Sequence, residues 1–236
     1  MTQARTLAER LFLLSLRTDG HTMRSSFSRQ RGNLDLTLQA ALIVELVERG
    51  RVDVASRRKP FGGEKFTLVQ SGYESTGNVP LDALLDRIAD SRNTGKSIPS
   101  WLTAGHAKQS IIDDLSERGV VTLHREGSGL FAKMRIEPVY PAAHDAIRDE
   151  FEGVFLRDAE PTRYDVLTAA LLLNGDTWEY VEPVKGTPGI AHFFERLDEL
   201  SNRHGPKWWE SPEVEHDPRG VSRVLYALGR ANAPSS

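Results

Sequence analysis

The sequence predicts a mostly α-helical protein: a central four-helix bundle surrounded by amphipathic helices, with two short β-hairpins. Three observations carry that expectation. Four segments are apolar almost all the way round, as helices in the middle of a bundle are. Four others are apolar on one face only and suit the outside. Two pairs of short β-branched runs flank turn residues. The chain has 236 residues, 39% of them hydrophobic and 27% charged, which suits a globular protein able to bury a sizeable core. No linker divides it, so one domain over residues 1–236 is expected.

In chain order, Thr6–Leu16 places Leu7, Leu11 and Leu14 at helical spacing. Leu36–Glu48 is apolar almost all the way round, with Leu38, Ala40, Ala41, Leu42, Ile43, Val44, Leu46 and Val47. Arg163–Leu173 and Val221–Ala231 complete the predicted central four. The amphipathic helices are expected at Leu81–Ser91, Ala107–Arg118, Ala142–Leu156 and Ile190–Leu200. Arg51–Val54 and Lys65–Val69 flank Pro60, Gly62 and Gly63 and read as one hairpin. Val120–His124 and Leu130–Ile136 flank Gly127-Ser128-Gly129 and read as the second. Both hairpins follow a helix through the same exit. Glu45-Leu46-Val47-Glu48-Arg49-Gly50 is matched by Asp114-Leu115-Ser116-Glu117-Arg118-Gly119. A glycine in the left-handed conformation ends the helix, and the arginine complements its dipole. A common exit used twice explains this better than a duplication does.

Composition excludes several chemistries. There is no cysteine, hence no disulfide, thiolate metal site or cysteine nucleophile. No phosphate-binding loop, dinucleotide fingerprint, nucleophile elbow or zinc-protease motif occurs. The seven histidines are scattered; His192 and Glu195 share a helical face but read as a surface pair. Neither an enzyme nor a cofactor is expected. The longest apolar runs fall far short of the roughly 20 residues of a membrane span, and the first residues carry no signal-peptide core. A cytoplasmic protein is therefore expected, one that touches a membrane, if at all, only from its surface.

The net charge of −3 hides an asymmetry. Residues 1–60 hold 11 Lys and Arg against 6 Asp and Glu, whereas the remainder holds 19 against 27. Within the basic part, Arg24, Arg29 and Arg31 cluster around Phe27, and Arg57, Arg58 and Lys59 precede Phe61. Basic residues beside an aromatic suit an anionic bilayer, where the charges meet head groups and the ring enters the interface. The same grouping also suits a nucleic-acid backbone or an ordinary solvated loop.

The order of these pieces resembles the Golgi phosphoprotein 3 family. The likeness rests on Leu11-Phe12-Leu13-Leu14-Ser15-Leu16 followed by Leu42-Ile43-Val44-Glu45-Leu46-Val47-Glu48-Arg49-Gly50-Arg51-Val52. It continues with Thr76-Gly77-Asn78-Val79-Pro80-Leu81-Asp82 and with Leu115-Ser116-Glu117-Arg118-Gly119-Val120-Val121. The resemblance implies one mostly helical domain that binds phosphatidylinositol 4-phosphate at the membrane surface and serves as an adaptor. It implies a lipid pocket of one tryptophan and several arginines. Those positions fall here near Gln30 and on Gln39, Gly105 and Lys108, so only Lys108 keeps a charge. Lysine cannot make the bidentate fork of arginine.

The expected function is that of a peripheral, non-enzymatic adaptor binding anionic phospholipid head groups, either phosphatidylinositol 4-phosphate or anionic lipid in general. The expected lipid-binding residues are Arg24, Arg29, Arg31, Gln39, Arg57, Arg58, Lys59 and Lys108. Protein clients and further copies of the chain are the other expected partners. The alternatives are a soluble protein–protein scaffold and a winged-helix-like nucleic-acid-binding regulator. Nucleic acid is disfavoured, because Ala107–Arg118 sets Asp113, Asp114 and Glu117 against Lys108 and Arg118.

Overall fold

Thr6 opens the first helix, α1 (Leu7–Leu14), with a capping box: its hydroxyl accepts from the Glu9 N–H, and the Glu9 carboxylate accepts from the Thr6 N–H. Of its eight residues only Arg10 escapes full burial. The computed structural model describes residues 5–16, 34–58, 64–93, 95–126, 133–177, 191–196, 199 and 220–232. In these, α2 runs Leu34–Glu48, two residues longer at its start than periodicity predicts, and is buried without a break from Thr37 to Val47. A helix buried all round needs neighbours on every side. It has them in α1, α3 (Val79–Ala89), α4 (Ile98–Thr103), α5 (Ala107–Glu117), α7 (Arg163–Asn174) and α9 (Val221–Asn232).

The remaining helices are α6 (Pro141–Leu156), packed on α1, and α8, helical over residues 191–196. Phe151 and Phe155 of α6 stack on Phe193 of α8 with centroids 6.1 and 5.4 Å away. Leu42, Leu46, Leu167, Leu171, Leu225 and Leu228 all lie in one core cluster. Yet α5 packs on α2 as extensively as α1 does, so the core is organised about α2. The expectation that α9 is apolar all round does not hold: Tyr226 and Arg230 face solvent. The amphipathic α4 escaped the sequence reading, being only six residues long; Ser97 caps it, and Pro99 sits in its first turn.

Both predicted exits form in the same way. Gly50 and Gly119 take φ of +64° and +66°. The N–H of the next residue reaches back five positions, Arg51 to Leu46 O at 2.9 Å and Val120 to Leu115 O at 2.8 Å. This is the Schellman geometry. The arginines do more than complement a dipole. Arg49 pairs with the fully buried Glu45, and Arg118 with the buried Asp114, each one turn back and 2.8 Å away.

The hairpins are β1 (Val52–Arg58) with β2 (Glu64–Gln70), and β3 (Val121–Glu126) with β4 (Lys133–Pro138). Register in the first runs from Val52↔Gln70 to Arg58↔Glu64. Strand β1 thus starts one residue later than predicted and runs four residues further, to Arg58: Ser56, Arg57 and Arg58 have weak strand character but gain ladder bonds from β2. In the second hairpin β4 ends at Pro138, two residues later than predicted; residues 127–132, with the predicted turn and the start of that strand, lie outside the described residues. One face of the first hairpin seats on the start of α9. A Cβ on Gly220 would lie 2.5 Å from the Val54 Cβ, and the Arg223 guanidinium lies 4.6 Å from the Phe66 ring centre. Thr67 bridges to Ser97, which ties β2 to the segment before α4.

Candidate functional site

Positive charge collects at the free end of the first hairpin. Arg57 stands directly across the ladder from Lys65, and Arg58 from Glu64. Arg57 and Arg58 are exposed and Lys65 is half-buried. Like charges placed opposite one another destabilise a ladder. Among the described residues no carboxylate comes within salt-bridge distance of Arg57, Arg58 or Lys65 to offset this. These arginines, expected in a loop, are rungs of a strand.

The segment 95–105 extends the basic margin from the hairpin to the bundle. The Arg57 guanidinium lies 3.7 Å from where a Cβ on Gly95 would stand. The Lys96 ammonium sits 4.5 Å from the centre of the Trp101 ring, and the Arg87 guanidinium 5.7 Å from it. Arg87 is held there by donating to the Ala104 carbonyl at 3.0 Å. Trp101 is only 1% exposed, and a cation over a desolvated indole is held more firmly than one over an exposed ring. The sequence reading missed Lys65, Lys96, Arg87 and Trp101. No local signal marks them: the register of the first hairpin sets Lys65 opposite Arg57, and the Thr67–Ser97 bridge and α4 bring the segment carrying Lys96 and Trp101 to the hairpin.

At the other end of this segment the structure gathers Gln39, Gly105 and Lys108. Gln39 is 2% exposed, and a Cβ on Gly105 would stand 1.9 Å from its Oε1. The Gln39 amide therefore fills the space a side chain at 105 would take. Its Nε2 is buried without a hydrogen-bond partner, as is the Trp101 Nε1. Lys108 is half-buried in the first turn of α5, and its backbone N–H donates to Asp35 Oδ1 at 2.8 Å. Arg24, Phe27, Arg29, Gln30, Arg31, Lys59 and Phe61 lie outside the described residues.

Elsewhere, buried charge serves the fold. Glu45 accepts from the Leu7 N–H, the Arg49 guanidinium and the Tyr164 hydroxyl, tying α1, α2 and α7 together. Burial, and then the Glu45 charge, push the Tyr164 phenol up to about 12. Glu9 accepts from Arg118 and Asn78; burial raises its carboxyl above the usual range, against the pull of Arg118. The His192 imidazole meets Asp158 at 3.3 Å, not Glu195. With Glu160, Arg196 and Glu199 these residues line an open cleft of about 440 Å³. Among the described residues no three His, Asp or Glu side chains converge as a metal site, and no helix is long and apolar enough to cross a membrane.

Comparison with known proteins agrees with the order of these elements. No individual curated protein matches the chain. The profile of one family, described as Golgi phosphoprotein 3 (GPP34), matches residues 7–216. That span takes in α1, the buried α2, both glycine exits with their hairpins, and α3 to α8, so the chain belongs to the Golgi phosphoprotein 3 family.

Proposed function

We propose that the protein is a peripheral, non-enzymatic adaptor that docks on anionic membrane surfaces through the basic margin of its first hairpin. The observation that carries this reading is the cross-strand pair of Arg57 and Lys65, two like charges held opposite each other with no carboxylate within salt-bridge distance among the described residues. An anionic surface relieves that repulsion. Arg58 and Lys96 extend the same margin. Each cation brought to an anionic bilayer contributes about 1 kcal/mol, so the four together supply about 4 kcal/mol before the ordering of side chains. One copy then binds weakly and reversibly, and several copies on one surface, or an inserted aromatic side chain, bind usefully. Family membership supports an adaptor role.

Flotation with phosphatidylcholine vesicles, with and without phosphatidylserine, tests the reading. Wild type is expected to float with the anionic vesicles only, and less as salt rises from 50 to 300 mM, because exposed charges are screened over about 10 Å at 0.1 M. Arg57→Glu/Arg58→Glu is expected to remain in solution. Equal flotation of both proteins, or none by wild type at low salt, removes this margin as the docking surface and leaves a soluble protein scaffold as the reading.

A further inference from the structure

Strand β1 has β2 on one side and, among the described residues, no strand on the other. The far side of β2 is closed at Thr67 by its bridge to Ser97, which leaves β1 as the open edge of this sheet among those residues. Seven residues of open edge are a template for another strand. The charges on the edge decide which strand fits. Val54 seats on Gly220 at the start of α9, so Asp53, Ala55 and Arg57 take the opposite face. Asp53 and Arg57 are both exposed. Across the ladder Asp53 stands opposite Val69, and Arg57 opposite Lys65, so neither meets a counter-charge in β2. Among the described residues neither side chain is engaged in an ion pair or hydrogen bond. They cannot serve each other, because four residues of strand hold them about 13 Å apart.

We infer that β1 is a self-pairing edge, at which a second copy of this chain adds its own β1 antiparallel, centred on Ala55. In that register Asp53 of each copy stands opposite Arg57 of the other, and the two-fold axis makes the contact twice. Residues directly opposite in such a ladder hold their Cβ atoms about 5 Å apart, within reach of an ion pair. Val54 meets Ser56, and Val52 meets Arg58. A shift of two residues either way breaks both Asp53–Arg57 contacts. Parallel pairing in register would set Arg57 against Arg57, which is repulsive. The Arg57 guanidinium now reaches towards Gly95 without a hydrogen bond, so turning it to the edge breaks none. One strand from each copy makes a small interface, of the weak and transient class. Arg57 thus has two uses: in solution it meets a second copy's carboxylate, and at a membrane it meets head groups. The pairing needs no membrane and stands or falls without one.

Sedimentation equilibrium of the full chain at low salt, from about 5 to about 500 µM, covers the range in which a weak dimer forms. Wild type is expected to pass from monomer to dimer across it. Asp53→Arg puts arginine opposite arginine at both contacts, and Arg57→Asp puts aspartate opposite aspartate. Each variant alone is expected to self-associate at least about tenfold more weakly, because like charges replace opposite ones. An equimolar mixture of the two variants is expected to dimerise again, since every contact between unlike copies then joins an arginine to an aspartate. Loss of fold in a variant could not produce that recovery. If circular dichroism shows one single variant to be unfolded, Asp53→Arg/Arg57→Asp decides alone: it exchanges the two charges and is expected to dimerise within about threefold of wild type. A wild type that stays monomeric at the highest concentration overturns the inference. So does a dimer that both single variants leave unchanged, or a mixture of folded variants that fails to associate. No vesicle enters the experiment, so its failure leaves the membrane reading to the flotation assay.

Discussion

Replacing Gly220 with alanine should loosen the seat of the first hairpin, and the cost divides into two parts that can be measured separately. The first is backbone strain. Gly220 has φ of +81°, and an L-residue with a side chain pays about 1–2 kcal/mol in that region. The second is overlap. The new Cβ would stand 2.5 Å from the Val54 Cβ and 2.9 Å from its Cγ2, closer than carbon atoms tolerate, and forced overpacking of this kind costs about 1–3 kcal/mol. The expected loss is therefore about 2–5 kcal/mol. Val54→Ala does not relieve it, because the Cβ atoms themselves collide; Val54→Gly does. Urea denaturation of wild type, Gly220→Ala, Val54→Gly and the double variant closes a thermodynamic cycle. In the double variant the overlap is gone and only the strain remains, so the two substitutions should cost about 1–3 kcal/mol less together than the sum of their separate costs. A Gly220→Ala stability within about 0.5 kcal/mol of wild type, the range of inconsequential surface changes, would refute the reasoning. So would simple additivity.

Three further outcomes are expected. Leu171 is fully buried, so Leu171→Ala should lower the unfolding free energy by about 2–5 kcal/mol, read from urea denaturation. Tyr164 is held protonated in the folded protein to about pH 12, against a usual value of 10.0. The folded state thus keeps a proton that the unfolded state has lost, and stability should fall as pH rises from 10 towards 12. Tyr164→Phe should remove that alkaline slope while costing about 1 kcal/mol at neutral pH for the hydrogen bond to Glu45. Glu9 has the same sign at acid pH: its folded value is raised above 4.5, so it takes up its proton earlier in the folded state, and its contribution should favour folding as pH falls towards 4.5. Comparing the pH dependence of thermal unfolding for wild type and Glu9→Gln isolates that contribution.

The helices were legible because their signal is local. Buried α2 declares itself by the run Leu38 to Val47, and the two exits by Arg49-Gly50 and Arg118-Gly119, where glycine and the preceding residues determine the geometry between them. Helix α4 was not legible, since six residues hold less than two turns of periodicity. The length of β1 was not legible either: Ser56, Arg57 and Arg58 become strand only because Glu64 to Phe66 lie across from them. The site divides along the same line. Arg57 and Arg58 stood out as a charge run, and Gln39, Gly105 and Lys108 through family resemblance. Lys65, Lys96 and Trp101 join them through tertiary contacts that no window of sequence contains. Asp35 looks like an ordinary first-turn acid of α2, and only the packing of α5 on α2 reveals that it serves a second helix.

The most direct test of the proposed docking role of the first hairpin is a depth measurement. The chain has no cysteine, so a single introduced thiol carries a fluorescent label at one place. Ser56, exposed beside Arg57 on β1, and Ala142, exposed in the first turn of α6, are suitable positions. With phosphatidylserine vesicles carrying a nitroxide quencher on the head group, the label at Ser56→Cys should be quenched on binding and the label at Ala142→Cys should not. Quenching at Ala142→Cys alone, or at neither position while the protein is vesicle-bound, would contradict the assignment of the first hairpin as the docking surface.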